Sequence, residues 1–236
     1  MKKYIILLIF LLSTPVYAGS ITTSGVTAQT IIDRVRNDLN ETTASFWTNT
    51  DLLQWINEAV NTINSRTRCL ESGVSNVIVV ENTRSYSITS SFLDIEKVEY
   101  DIGLSGNTTQ KSQIYDLERV PFFNLRYGVE KERGDPKTYS VWNNTLYVFP
   151  IPGSTQAGNT IYLYAVSSPS GVTVTTSQIE TPKYFDDAIL LYVKSKALSK
   201  DRQDGKADAY MKLFDAYCDR YRVDVMRREL LPTGAK

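Results

Sequence analysis

The sequence predicts an α+β fold, with N- and C-terminal helices forming a helical bundle and a central antiparallel β-rich insert projecting from it. Three observations predict it. Apolar residues recur at helical spacing from residue 28 to about residue 66. From 77 to 167 the chain instead alternates in short runs separated by Asn, Gly and Pro turns, and helical spacing returns from 181 onward. Helices this amphipathic need partners, and packing the two ends of the chain together is the simplest way to bury their stripes.

The elements follow in order. Lys2 and Lys3 precede an apolar run over 5–12, then Thr14, Pro15, Val16, Tyr17 and Ala18 before Gly19. This is the grammar of a secretory signal peptide, and the run is short of the about 20 residues a membrane span needs. Residues 19–27 read as a linker. Ile31, Ile32, Val35 and Leu39 mark a helix from Ala28. Thr48 followed by Asp51 resembles a capping box, and Leu52, Ile56, Ala59 and Ile63 form the stripe of the helix behind it. Residues 77–80 and 84–88 flank a turn at Asn82 and Thr83 and predict a hairpin. A weaker strand runs over 93–100, and a short helix interrupted by Pro121 is expected over 115–125. Residues 138–142 and 145–149 predict a second hairpin across Asn143 and Asn144, which tolerate positive φ. A strand over 159–167 completes the insert.

Thr181 and Pro182 read as an N-cap with Pro at the first helical position. Phe185, Ala188, Ile189, Tyr192 and Val193 share the face of that helix. After a break at 201–205 a second helix carries Tyr210, Leu213, Phe214, Tyr217, Tyr221 and Val225 in register. The organisation is therefore a signal-like segment (1–18), a linker (19–27), a bundle (28–70 and 181–229), a β-rich domain (71–180) and a C-terminal tail (230–236).

Composition excludes much. Lys+Arg and Asp+Glu number 26 each, so the 236-residue chain has no net charge and no general electrostatic hold on nucleic acid. There is no histidine, which removes Ser-His-Asp and Cys-His catalysis and HExxH zinc sites. The two cysteines, Cys69 and Cys218, form no CxxC and read as buried free thiols, with a single disulfide as the alternative in an oxidising compartment if their Cα atoms lie close. No phosphate loop is present. Asp186 and Asp187 are adjacent on a helix and do not face each other, and Asp94, Glu96, Glu99 and Asp101 read as a solvated strand face. Trp47, Trp55 and the Tyr210, Tyr217, Tyr221 stripe read as packing residues. No enzyme activity, no metal and no cofactor is expected.

Three segments together resemble one family. Phe46-Trp-Thr-x-x-Asp-Leu-Leu-x-Trp-Ile-Asn-Glu-Ala59 looks like the early helix of tailed-bacteriophage head-to-tail adaptor (connector) proteins of the podovirus type. Gly134-Asp-Pro-Lys-Thr-Tyr139 followed by Leu146-Tyr-Val-Phe-Pro-Ile-Pro152 resembles their central hairpin. The helix from Tyr184 that ends in Ala-Leu-Ser-Lys-Asp201, with the helix from Lys206 to Tyr217, resembles their C-terminal pair. The resemblance covers roughly residues 28 to 225.

The resemblance implies a structural virion protein assembled in the host cytoplasm, in a homo-oligomeric ring commonly of twelve copies. Such a ring binds the portal protein, extends the DNA channel used in ejection, and gives a tail or nozzle protein its platform. DNA passes through without sequence-specific binding. The portal-docking candidates are then Arg222, Arg227, Arg228, Leu230 and Leu231. The polar face of the early helix (Gln54, Asn57, Glu58 and Asn61) supplies subunit-contact candidates. Residues 1–18 favour an alternative: an exported bacterial periplasmic or surface binding protein.

Overall fold

The computed structural model describes residues 25–41, 44–72, 74–88, 91–103, 113–124 and 132–230, with side chains as far as residue 223. The signal-like segment at 1–18 lies outside the described residues. Helix α1 (Ala28–Asp38) begins where the Thr27 hydroxyl accepts the Thr30 N–H. Helix α2 (Asn49–Thr67) opens on a complete capping box. The Asp51 N–H donates to Thr48 Oγ1 at 3.1 Å, and the Thr48 N–H donates to Asp51 Oδ2 at 3.0 Å. Helix α2 stops where Arg68 turns left-handed at φ 54.

After a 3-10 turn (Lys183–Phe185) come α3 (Asp186–Lys200) and the long α4 (Asp204–Leu230). Helix α3 is buried on nearly every side, with Ala188, Ile189, Leu190, Tyr192, Val193, Ala197 and Leu198 all inside. It packs against each of the other three helices. One core unites them, including Ile31, Leu52, Ile56, Ile63, Phe185, Ile189, Val193 and Phe214.

Two details of these helices differ from the sequence reading. Thr181 does not cap: its buried hydroxyl has no partner among the described residues, and Pro182 precedes the 3-10 turn without a side-chain bond. Pro182 sits in an extended conformation (φ −57°, ψ 149°), so helical geometry starts one residue later. Leu213 is 54% exposed. The inward stripe of α4 runs instead through Ala207, Phe214 and Cys218, flanked by Met211, Tyr217 and Tyr221.

The strands are β1 (Ser75–Ile78), β2 (Ser85–Ser87), β3 (Phe92–Ile102), β4 (Gln113–Asp116), β5 (Glu118–Arg119), β6 (Thr138–Trp142), β7 (Thr145–Phe149) and β8 (Thr160–Ser167). Among the described residues they form two four-stranded sheets, ordered β1-β8-β3-β4 and β2-β7-β6-β5. Every pairing is antiparallel except β5 with β6. A second core lies between the sheets, including Tyr86, Val98, Tyr100, Tyr139, Leu146, Val148, Ile161 and Leu163.

The β6–β7 hairpin forms as expected, with Asn143 at φ 48 and Asn144 at φ 53. The β1–β2 hairpin does not. The turn exists, with the Thr83 N–H donating to Val80 O, but β1 pairs with β8 and β2 with β7. The turn is a corner between sheets, because Val79 and Tyr86 on either side of it both enter the core. The helix expected over 115–125 is instead β4, β5 and a 3-10 turn (Phe122–Asn124), since Tyr115 and Leu117 alternate inward. Leu125 lies outside the described residues. In β3 a register shift between Ile95 and Lys97 lets both Ile95 and Val98 face the core, which hides a strict period of two.

Candidate interaction site

The loop ahead of α2 is built around one buried cation. Arg36 lies on the apolar side of α1, four residues after Ile32, and is 7% exposed. Its guanidinium donates to Trp47 O at 2.7 Å and Asn49 Oδ1 at 2.8 Å, and pairs with Glu41 at 3.1 Å. Glu41 Oε1 in turn accepts the Phe46 N–H at 2.5 Å, the Trp47 N–H at 3.3 Å, and the N–H and hydroxyl of Ser45 at 3.2 and 2.9 Å. Burial pushes the Glu41 carboxyl up, but the donors from Phe46, Ser45 and Trp47 outweigh it and hold it below its ordinary value.

So held, Trp47 is buried and its Nε1–H donates to Ala197 O at 2.9 Å, tying the loop to the end of α3. Lys200 closes the arrangement. It pairs with Asp51 at 2.9 Å and stands 5.5 Å from the Phe46 ring centre and 6.0 Å from that of Trp55. Lys200 and then Thr48 lower the Asp51 carboxyl to about 2. The aromatic-Thr-Asp-Leu-Leu stretch thus spends its distinctive side chains on folding. Sequence reading missed Arg36, Glu41 and Lys200. Arg36 left a signal as a charge on an apolar stripe, and Lys200 stood in the Ala-Leu-Ser-Lys-Asp201 motif with no role read for it.

The polar face of α2 is partly engaged within the chain. Asn57 Nδ2 donates to Val172 O at 2.9 Å while its Oδ1 accepts the Val172 N–H at 2.6 Å. Glu58 pairs with Lys196 at 3.2 Å and accepts from Gln54 at 3.1 Å. Asn61 donates to Asn57 O at 2.9 Å. Gln54 and Asn61 are exposed, Asn57 and Glu58 half-buried.

The basic end of the chain belongs to a helix as far as Leu230, so Arg222, Arg227 and Arg228 lie on the backbone of α4. Arg222 is exposed. Arg227, Arg228 and Leu230 fall beyond the described side chains, and Leu231 beyond the described residues. Arg222, Asp219 and Tyr221 line a cleft of about 660 Å³ with Arg66 and Arg68 of the α2 end and Glu96 of β3. Arg66 pairs with Asp215 at 2.5 Å, and Arg68 with Asp94 and Glu96 at 3.1 and 3.0 Å. The cleft therefore presents balanced charge rather than an anion site.

Other candidate groups are also paired. Asp187 bonds Arg34 at 2.9 Å. On the acidic strand face Lys97 bonds Glu99 at 2.5 Å and Asp116 at 3.0 Å. Tyr184 and Phe185 hold Tyr221, with ring centres 5.4 and 4.7 Å away. Cys69 and Cys218 are free and buried, and burial pushes both thiols up to about 11. Among the described residues no group of three or more His, Cys, Asp or Glu is placed to hold a metal. No described helix is long and apolar enough to cross a membrane.

A family model described as "SU10 adaptor protein" matches residues 26–232. No curated protein matches the chain. The match takes in all of the elements described above, and the chain belongs to this family of phage head-to-tail adaptor proteins. Its role is that of a structural adaptor in the virion. The reading as an exported binding module finds no support in the match.

Proposed function

We propose that, as an adaptor-family member, the chain is a ring subunit that binds beneath the portal, extends the DNA channel and carries the tail. The family match over residues 26–232 is the observation that carries this reading. The geometry agrees with it. The motif side chains of 46–51 lock a helical bundle rather than form a reactive site, and a chain of no net charge has no general electrostatic grip on passing DNA. The end of α4 is the portal-docking element, through Arg222, Arg227, Arg228, Leu230 and Leu231. Helical backbone as far as Leu230 carries Arg222, Arg227 and Arg228 on one element. Of the α2 polar face, Gln54 and Asn61 are the residues most open to a neighbouring subunit, while Asn57 and Glu58 first serve their own chain. Twelve copies is the number the family resemblance suggests.

The full chain mixed with the portal protein of the same phage tests the reading by negative-stain microscopy and mass photometry. Rings stacked on portals are expected, and Arg227→Glu with Arg228→Glu abolishes the stacking. A chain that stays monomeric with portal present overturns the ring, and undiminished stacking of the double variant overturns the docking assignment.

A further inference from the structure

The sheet β1-β8-β3-β4 ends on both sides in an edge that pairs with nothing further among the described residues. Natural proteins guard such edges with charge, proline, bulges or very short strands. The second sheet follows that practice, with only three residues in β2 and two in β5. The first does not. Strand β1 carries no charge and no proline, and leaves Ile78 58% exposed between the similarly exposed Val74 and Val80. At the opposite edge, Ile114 of β4 is 53% exposed.

The two edges match each other. Ile78 registers with Thr160, Thr160 with Asp101, and Asp101 with Ile114, so both isoleucines end one row on one face of the sheet. All pairings in this sheet are antiparallel, so β1 and β4 run in opposite directions. A β1 laid against the β4 of another copy therefore continues the alternation. The backbone phase matches as well. The Val79 N–H donates to Asn159 O and the Leu117 N–H to Val98 O, within the sheet. Odd-numbered residues of both strands thus bond inward, and the N–H and C=O groups of Asn76, Ile78, Ile114 and Asp116 face outward. Setting Ile114 beside a second copy's Ile78 also sets Asp116 beside its Asn76, a carboxylate beside an amide donor.

We propose that subunits join edge to edge, β4 of one copy against β1 of the next, so that this sheet continues through the assembly. The proposal rests on the ring reading and names the surface that makes the ring. The contact is heterologous, each copy using one edge on either side, which is the geometry that closes into a ring rather than a dimer. Main-chain hydrogen bonds supply the hold, as in strand addition to a sheet edge.

Cysteine cross-linking tests it on the full chain assembled with portal. Within one chain residues 78 and 114 are three strand spacings apart, about 14 Å, beyond the reach of a disulfide. Across the proposed junction they form a hydrogen-bonded pair with Cα atoms about 5.5 Å apart, within that reach. The variant carrying both Ile78→Cys and Ile114→Cys gives a ladder of dimer, trimer and higher species on non-reducing gels, while either single variant and the unmodified chain stay monomeric. Ile78→Lys lowers ring yield by about tenfold or more, with an unchanged circular dichroism spectrum. Rings without a ladder overturn this junction and leave the ring reading standing. A disulfide dimer from Ile78→Cys alone points to pairing of two β1 edges and also overturns it. Absence of rings from the unmodified chain removes the ring reading, and this proposal with it.

Discussion

Arg36 fastens the 46–51 loop, and replacing it with alanine unfastens it. The change deletes bonds to Trp47 O, Asn49 Oδ1 and Glu41 at 2.7, 2.8 and 3.1 Å. The Arg36 and Glu41 side chains are 9% and 10% exposed, so solvent screens the pair little. Removing one member of a buried ion pair typically costs about 3–5 kcal/mol. Glu41 keeps its donors from Ser45, Phe46 and Trp47, which places the loss near the lower end, about 3 kcal/mol. For a chain of this length that corresponds to a fall in Tm of about 6–12 °C. Urea and thermal unfolding of the full chain measure it, and Arg36→Lys, which keeps charge but not the forked geometry, recovers only part of the loss. Combining Arg36→Met with Glu41→Gln destabilises by less than the sum of the single changes. A loss below about 1 kcal/mol for Arg36→Ala refutes the claim that this cation organises the loop.

Three further outcomes follow from the same geometry. Thr48→Ala removes half of the capping box and costs about 1 kcal/mol, read as a lower urea midpoint with unchanged slope. Asp51 has a depressed carboxyl, so its contribution is present above the ordinary aspartate range near pH 4 and is lost as pH falls toward about 2. Its pair with Lys200 is about one-third exposed on each side, so screening leaves roughly 0.5–1 kcal/mol, and Asp51→Asn flattens that part of the stability–pH curve. Cys69 and Cys218, with thiols near 11, resist iodoacetamide in the folded chain at pH 8 and react together on unfolding; fast labelling of either in the native protein contradicts their burial.

What the sequence disclosed and what it hid divide along physical lines. Signals confined to one turn of chain were readable. The Thr48–Asp51 cap, the Asn143–Asn144 turn and the α1, α2 and α3 stripes need only near neighbours, and each forms. Signals that depend on distant partners were not. Residues 77–88 look like a hairpin because a turn separates two apolar runs, yet the partners of those runs lie some 60 to 90 residues away. A bulge erased the alternation of β3, and residues 115–119 were too short and too polar on one face to show as strands. Leu213 has the right spacing for the core, but α3 covers a neighbouring angle of α4. At the site, the packing roles read for Tyr217 and Tyr221 followed from helical spacing, and Trp47 and Trp55 pack as large aromatics beside that core are expected to. The Arg36–Glu41 knot did not, because its other members come from a loop without a repeat.

Asn64 and Asn57 have a consequence for the particle. Asn64, fully buried, donates to Ser167 O at 2.8 Å and accepts the Leu70 N–H at 3.1 Å; Asn57 grips Val172 at both ends of its amide. These bonds fasten α2 to the chain leaving β8, and so fix how the helices carry the sheets. Neither amide titrates, and uncharged, partly buried hydrogen bonds are little affected by added salt. Exposed ion pairs, among them Arg68 with Asp94 and Glu96 across the same joint, fade as ionic strength rises, while the amide bonds persist. A virion leaves a crowded cell for dilute water or brine, and the part of this joint held by neutral amides is the part that does not depend on which one it meets.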